Sequence, residues 1–136
     1  MATRALVAGA GGFIGHHLTK YLVDRGYWVR GVDIKEPAYE PSAAQEFELL
    51  DLRRWDNCLL ATRGVDEVYH LAADMGGIGY IDNHHVDAAR NNVLASTHIL
   101  EASRLNGVRR FFFSSSACVY PQNLQNAPEV TPLREE

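Results

Sequence analysis

Cysteine is scarce in this 136-residue sequence: Cys58 and Cys118 are the only two. That is too few for a disulfide framework, so the chain reads as a reduced, cytoplasmic protein. Long apolar runs are missing too. None approaches the roughly 18–20 residues of a membrane span, and the N-terminus lacks a signal-peptide pattern. Nor is there a basic stripe. The 13 lysines and arginines stand against 17 aspartates and glutamates, for a net charge of −4. Basic pairs occur only at Arg53-Arg54 and Arg109-Arg110, which excludes the electrostatic footprint of nucleic-acid binding or an anionic membrane surface. Six histidines include the pair His84-His85, but no other ligand sits at helical spacing, so no metal site is expected. There is no internal repeat and no low-complexity segment.

What is present is an ordinary globular composition, 46% apolar and 22% charged, in a chain long enough for one hydrophobic core. Strand-like runs alternate with helix-length segments, the pattern of βαβ units. The expected fold is α/β: a Rossmann-type parallel sheet of about five strands with helices on both faces. Strands are expected at 4–8, 28–33, 46–50, 67–72 and 110–114. Helices are expected at 13–25, about 54–62 and 83–105. The first helix carries Ile14, His17, Leu18, Tyr21 and Leu22 on one face. The last carries Val86, Ala89, Val93, Thr97 and Leu100 at helical spacing. Two prolines make 35–42 a loop, residues 74–79 read as a glycine-rich loop, and residues 122–136 read as an irregular tail.

The run Gly9-Ala10-Gly11-Gly12-Phe13-Ile14-Gly15 directly follows the apolar stretch Ala5 to Ala8. A buried strand breaking into a glycine turn and opening a helix is how a chain grips a pyrophosphate. Glycines let the backbone approach phosphate oxygens, and the helix-start N–H groups face the anion. Gly9, Gly12 and Gly15 carry this spacing. Asp33, 18 residues after Gly15, would accept hydrogen bonds from an adenosine ribose and repel a 2′-phosphate, favouring NAD over NADP.

In a parallel sheet, ligands collect beyond the C-terminal strand ends. That rule gathers Asp51, Leu71-Ala72-Ala73, the glycines from Gly76 and the segment from Ser114 to Cys118. Asp51 suits either an adenine contact or a helix N-cap. The serines suit either a reacting hydroxyl or turn backbone. Cys118 suits either acid/base work or a small buried hydrophobe. Cys58 reads as core, and His16 and His17 as packing or solvent-facing residues.

With these residues in place the chain resembles the extended short-chain dehydrogenase family of nucleotide-sugar epimerases and dehydratases. The Gly9 to Gly15 loop, Asp33, Leu71-Ala72-Ala73, Asn91-Asn92-Val93 and Ser114-Ser115-Ser116 carry the resemblance. The stretches 71–81 and 115–121 narrow it to members that epimerise a GDP-mannose-like nucleotide sugar at two carbons. The resemblance implies that Gly9, Gly11, Gly12, Phe13, Ile14, Gly15, Asp33, Asp51, Leu52, Leu71, Ala72, Ala73, Asn91 and Ser114 hold NAD. It implies that Gly76, Ser116, Ala117 and Cys118 contact the sugar nucleotide. Ser116 would be the catalytic serine and Cys118 one of the acid/base pair acting at C3 and C5 after transient oxidation at C4. A homodimer of the full-length parent is implied as well.

One departure matters. The family requires a Tyr-x-x-x-Lys pair, and no tyrosine here is followed four residues on by lysine. The chain therefore reads as an N-terminal fragment that stops before the substrate domain and is inactive alone. Within the same family a 4-epimerase or 4,6-dehydratase is the alternative reaction. Outside it the alternative is a non-catalytic dinucleotide-binding module.

Overall fold

The central strand β1 (Arg4–Ala8) is apolar from its second residue on, and Ala5, Leu6, Val7 and Ala8 are all fully buried. A parallel strand covered on both faces requires such a run. In this computed structural model, which describes residues 2–76, 78–116 and 121, β1 pairs with β2 (Trp28–Asp33) on one side and β4 (Glu67–His70) on the other. β3 (Glu46–Leu49) lies outside β2, and β5 (Arg110–Phe113) outside β4. Every pair is parallel, and the order is β3-β2-β1-β4-β5. The crossovers are α1 (Phe13–Asp24), α2 (Trp55–Thr62) and α3 (Ile78–Leu105).

The two-residue period of β1 splits the interior into two cores. Leu6 and Ala8 join Cys58 and Ala61 of α2 and Ala95, Ile99 and Ala102 of α3. Ala5 and Val7 join Leu22 of α1 and Val29 of β2. Helices therefore cover both faces, as expected. Cys58 is core: its thiol donates to the Leu52 carbonyl at 3.0 Å, and burial pushes its pKa up to about 12. Among the described residues no helix is long and apolar enough to cross a membrane.

The helix faces differ from the sequence expectation. α1 buries Gly15, His16, Thr19 and Leu22, while Ile14 and Tyr21 are exposed. Small or internally satisfied residues make this close-packing face, since the Thr19 hydroxyl donates to the Gly15 carbonyl at 2.8 Å. α3 likewise buries Ala88, Ala95, Ile99, Ala102 and Ser103, whereas Val86, Val93 and Leu100 are 70%, 60% and 53% exposed. Packing against α2 selects alanines there, so the larger apolar residues mark the outward face. The boundaries shift too. β4 stops at His70, although the Leu71 N–H still reaches the Ala8 carbonyl at 2.9 Å. α3 starts at Ile78, inside the expected glycine loop, and a non-helical residue, His84 (φ −131°, ψ 25°), divides it near the expected start. The expected tail at 122–136 and Gly77 lie outside the described residues.

His70 is the buried polar group with the largest consequence. It is 2% exposed, its Nε2 meets the Ser96 hydroxyl at 3.0 Å, its Nδ1 has no partner among the described residues, and the Phe111 and Phe113 rings stand nearby. Burial pushes its pKa down from 6.5 to about 4. The folded state thus binds fewer protons than the unfolded chain between these values. Stability is full above pH 6.5 and falls as pH drops toward 4. At about 1.4 kcal/mol per pH unit, the loss is on the order of 3 kcal/mol. Urea denaturation at pH 7 and pH 4.5 checks this: the acid loss should shrink in His70→Leu, and an equal loss in both proteins refutes the assignment.

Candidate functional site

A cleft of about 410 Å³ opens beyond the C-terminal ends of β1, β2, β3 and β4. Its floor is the turn between β1 and α1. Gly9 adopts φ +90°, which a side-chain-bearing residue rarely tolerates, and a Cβ there would stand 2.8 Å from the Ala72 backbone nitrogen. A Cβ on Gly15 would stand 2.1 Å from the Gly9 carbonyl oxygen, and one on Gly11 2.1 Å from the Lys35 carbonyl oxygen. Gly12 is different. Its nearest obstacle is the Gly9 oxygen at 3.3 Å, so folding alone does not demand a glycine. Gly12 is also the N-cap of α1, which has no side-chain cap and no acidic residue in its first turn. The N–H groups that a helix cannot satisfy internally are left for an anion.

Two aspartates form one wall. The Asp33 carboxylate is held open by three backbone donors: Gly11 N–H at 2.9 Å, Ile34 N–H at 2.7 Å and Lys35 N–H at 3.3 Å. Its remaining lone pairs suit ribose hydroxyls. Of the two sequence alternatives for Asp51, the structure excludes the helix N-cap. The N-cap of α2 is Arg54, not Asp51. The Asp51 carboxylate instead accepts from the Arg53 N–H at 2.9 Å and from the guanidinium through Nε at 2.9 Å and Nη2 at 2.7 Å. The Arg53 hydrogen bonds hold the Asp51 carboxyl below its usual range. The Arg53 carbonyl in turn accepts from His98 Nδ1 of α3 at 3.0 Å, which fixes this wall to the long helix.

The opposite wall is the segment after β4. Leu71, Ala72, Ala73, Asp74 and Met75 line the cleft together with Asn91, Asn92 and Ala95 of α3. Asn91 Nδ2 donates to the Asp74 carboxylate at 2.7 Å, the Asp74 N–H donates to Asn92 Oδ1 at 2.6 Å, and Asn92 Nδ2 donates to the Asp74 carbonyl at 3.1 Å.

Of the residues expected from sequence, Gly9, Gly12, Asp33, Asp51, Leu52, Leu71, Ala72, Ala73 and Asn91 line this one cleft. Gly11 and Gly15 shape its floor from behind. Phe13 and Ile14 are exposed on the first turn of α1 and do not line it. Ser114 is exposed, its N–H bound to the His70 carbonyl at 3.1 Å, and neither it nor Gly76 nor Ser116 is in the lining. Ala117 and Cys118 lie outside the described residues. Arg53, Asp74 and Asn92 belong to the cleft without having been expected there. The doublet Asn91-Asn92 was the available clue, since two amides at one point of a helix invite a polar partner. Among the described residues no cluster of three or more metal-ligating side chains occurs.

The model of a family described as the NAD dependent epimerase/dehydratase family matches residues 5–136. GDP-mannose 3,5-epimerase 1 of Oryza sativa subsp. japonica is 48% identical over 130 residues, covering 94% of this chain and 34% of that protein. GDP-mannose 3,5-epimerase of Arabidopsis thaliana is 44% identical over 131 residues, covering 95% and 35%. The chain thus spans about a third of the length of these curated relatives. Among solved structures, a short-chain dehydrogenase/reductase superfamily protein from Agrobacterium tumefaciens with bound NAD is similar at a TM-score of 0.77 and 31% identity, over 98% of this chain and 38% of that one. A UDP-glucose 4-epimerase is similar at 0.76 and 30%, over 87% and 37%.

The glycines divide into two classes that circular-dichroism melting separates. Gly9→Ala should destabilise the fold by more than the roughly 1–2 kcal/mol of left-handed backbone alone, because backbone atoms also block the Cβ, and Gly15→Ala should be similarly damaging. Gly12→Ala should melt near the wild-type temperature. Equal losses at all three positions would contradict the division.

Proposed function

The chain belongs to the NAD dependent epimerase/dehydratase family, and from that premise we propose that it is the NAD-binding part of a nucleotide-sugar epimerase acting on GDP-mannose or a close analogue. The observation that carries the cofactor is the cleft floor: an uncapped helix start behind Gly12, flanked by a carboxylate, Asp33, that three backbone N–H groups hold in place. These groups fit a dinucleotide. The first turn of α1 takes the pyrophosphate, and Asp33 takes the adenosine ribose while opposing a 2′-phosphate. NAD, when bound, accepts a hydride from a sugar carbon and returns it. The 48% identity to the rice 3,5-epimerase supports the reaction.

In this reading Ser116 contacts the C4 hydroxyl, and Cys118 moves a proton at C3 or C5, where an adjacent ketone acidifies the C–H bond. Gly76 and Ala117 contact the sugar nucleotide. Turnover needs a Tyr-x-x-x-Lys pair that these 136 residues do not contain, so the chain by itself binds NAD without turning over. A 4-epimerase is the second reading, supported by the similarity to a solved UDP-glucose 4-epimerase.

Two experiments test this. Calorimetry on the 136-residue chain should show NAD bound at least about tenfold more tightly than NADP, with Asp33→Ser erasing the preference; NADP bound as tightly as NAD by the wild type removes Asp33 from its role. The product of the whole reading frame containing these residues, incubated with GDP-mannose in heavy water, should place deuterium at C3 and C5, with Cys118→Ser suppressing it. Epimerisation at C4 with no deuterium uptake selects the second reading instead.

A further inference from the structure

The loop from β2 to β3 crosses the flank of α1. Among the described residues between Lys35 and Gln45, Glu40 alone hydrogen-bonds to another element. Its Oε1 accepts from His16 Nε2 at 3.0 Å and from Lys20 Nζ at 2.8 Å, two donors about one helical turn apart. Glu40 itself is half exposed, but His16 is 4% exposed, so the loop is anchored to a buried side chain. We propose that Glu40 is a positioning residue that determines cofactor specificity: pinned to His16, it holds Ile34 and Lys35 in the register at which Asp33 admits NAD and rejects NADP. The proposal rests on the reading of the cleft as an NAD site.

The pin closes a ring of contacts around the cleft floor. The Gly11, Ile34 and Lys35 N–H groups meet the Asp33 carboxylate at 2.9, 2.7 and 3.3 Å. The Lys35 carbonyl lies against Gly11, leaving no room there for a Cβ. Five residues on, Glu40 reaches His16, and the His16 N–H returns to the Gly12 carbonyl at 2.9 Å. Pro37 and Pro41 restrict the backbone on either side of Glu40. The hydrogen bonds from Lys20 and His16 hold the Glu40 carboxyl down at about 2, and an ionised carboxylate only accepts. The His16 proton therefore sits on Nε2. Its Nδ1 has no partner among the described residues, so lifting the loop would strand the buried ring without a side-chain hydrogen bond. Lys35 supplies the chemistry at the other end. Its exposed side chain lines the cleft with Asp33, and among the described residues its ammonium has no hydrogen bond or ion pair. A loop free to shift brings this charge to a 2′-phosphate and offsets the repulsion from Asp33.

The test is calorimetry of NAD and NADP binding to the 136-residue chain. It uses the wild type, Glu40→Ala, Glu40→Gln, Lys35→Ala and the double variant Glu40→Ala/Lys35→Ala. Glu40→Ala should lower the preference for NAD over NADP roughly 3- to 10-fold, about the worth of one hydrogen bond. Glu40→Gln keeps an acceptor for His16 Nε2 and should keep most of the preference. Lys35→Ala should keep it, and the double variant should regain it, because the relaxed preference works through the Lys35 charge. Wild-type preference in Glu40→Ala overturns the proposal. Equal loss in the Gln and Ala variants also overturns it, since Glu40 would then act only as a charge opposing the phosphate. Equal weakening of both dinucleotides does the same, being the mark of a merely structural role. Should Glu40→Ala not fold, Lys20→Met takes its place: it removes one of the two anchors, and an unchanged preference overturns the proposal. A wild-type chain that binds neither dinucleotide sinks the NAD reading and this proposal with it. A discriminating wild type with an unaffected Glu40→Ala refutes Glu40 alone.

Discussion

The interlock between the glycine turn and the ends of the central strands is the constraint on which the rest of the structure depends. Gly9 and Ala10 donate to the Val32 carbonyl at 2.8 and 3.2 Å, and Gly11 donates to the Asp33 carboxylate at 2.9 Å. The turn that would receive a pyrophosphate is therefore built from the end of β2 as much as from β1. Neither piece can move without the other. Side chains are forbidden at Gly9 and Gly11 by backbone of neighbouring segments, Ala72 and Lys35, and at Gly15 by the turn's own Gly9 carbonyl.

The same economy appears in α3. From one stretch of helix it holds both walls of the cleft: His98 takes the Arg53 carbonyl, Asn91 and Asn92 take Asp74, and Ser96 meets His70 of β4. These contacts span the ends of β3 and β4. A rigid element that touches both sets the width of the cleft, and the alanines that let it lie close to α2 are part of that setting.

Strand existence, helix existence and the two-faced arrangement were readable because each rests on a local pattern: an apolar run in β1, glycine breaks and periodic helices. Asp33 and Asn91 were readable because a strand end and a polar doublet announce themselves. The buried faces of α1 and α3 were not. Hydrophobic periodicity ranks residues by size and polarity, whereas these interfaces select Gly15, Thr19, Ala95 and Ala102 for closeness of approach. Nor could the commitment of Asp51 be read. Which neighbour its carboxylate takes depends on the turn bringing Arg53 back over it, a geometry that two residues of spacing leave open. Arg53 and Asp74 were missed for the same reason, their partners being set by tertiary position rather than by sequence neighbours.

The bare N-terminus of α1 reaches beyond recognition. Most helices complete their first turn with a side chain of their own; this one begins at Gly12 with none and carries no carboxylate to meet its positive end. A bound anion would therefore finish a secondary-structure element as well as fill a cleft, which makes ligand supply a term in the folding equilibrium. A ligand at a hundred times its dissociation constant adds roughly 2.7 kcal/mol to the folded state. The fraction of chains surviving proteolysis in a cell would then follow the cofactor pool, and the turn that recognises the ligand would double as the device by which the ligand preserves its own receptor.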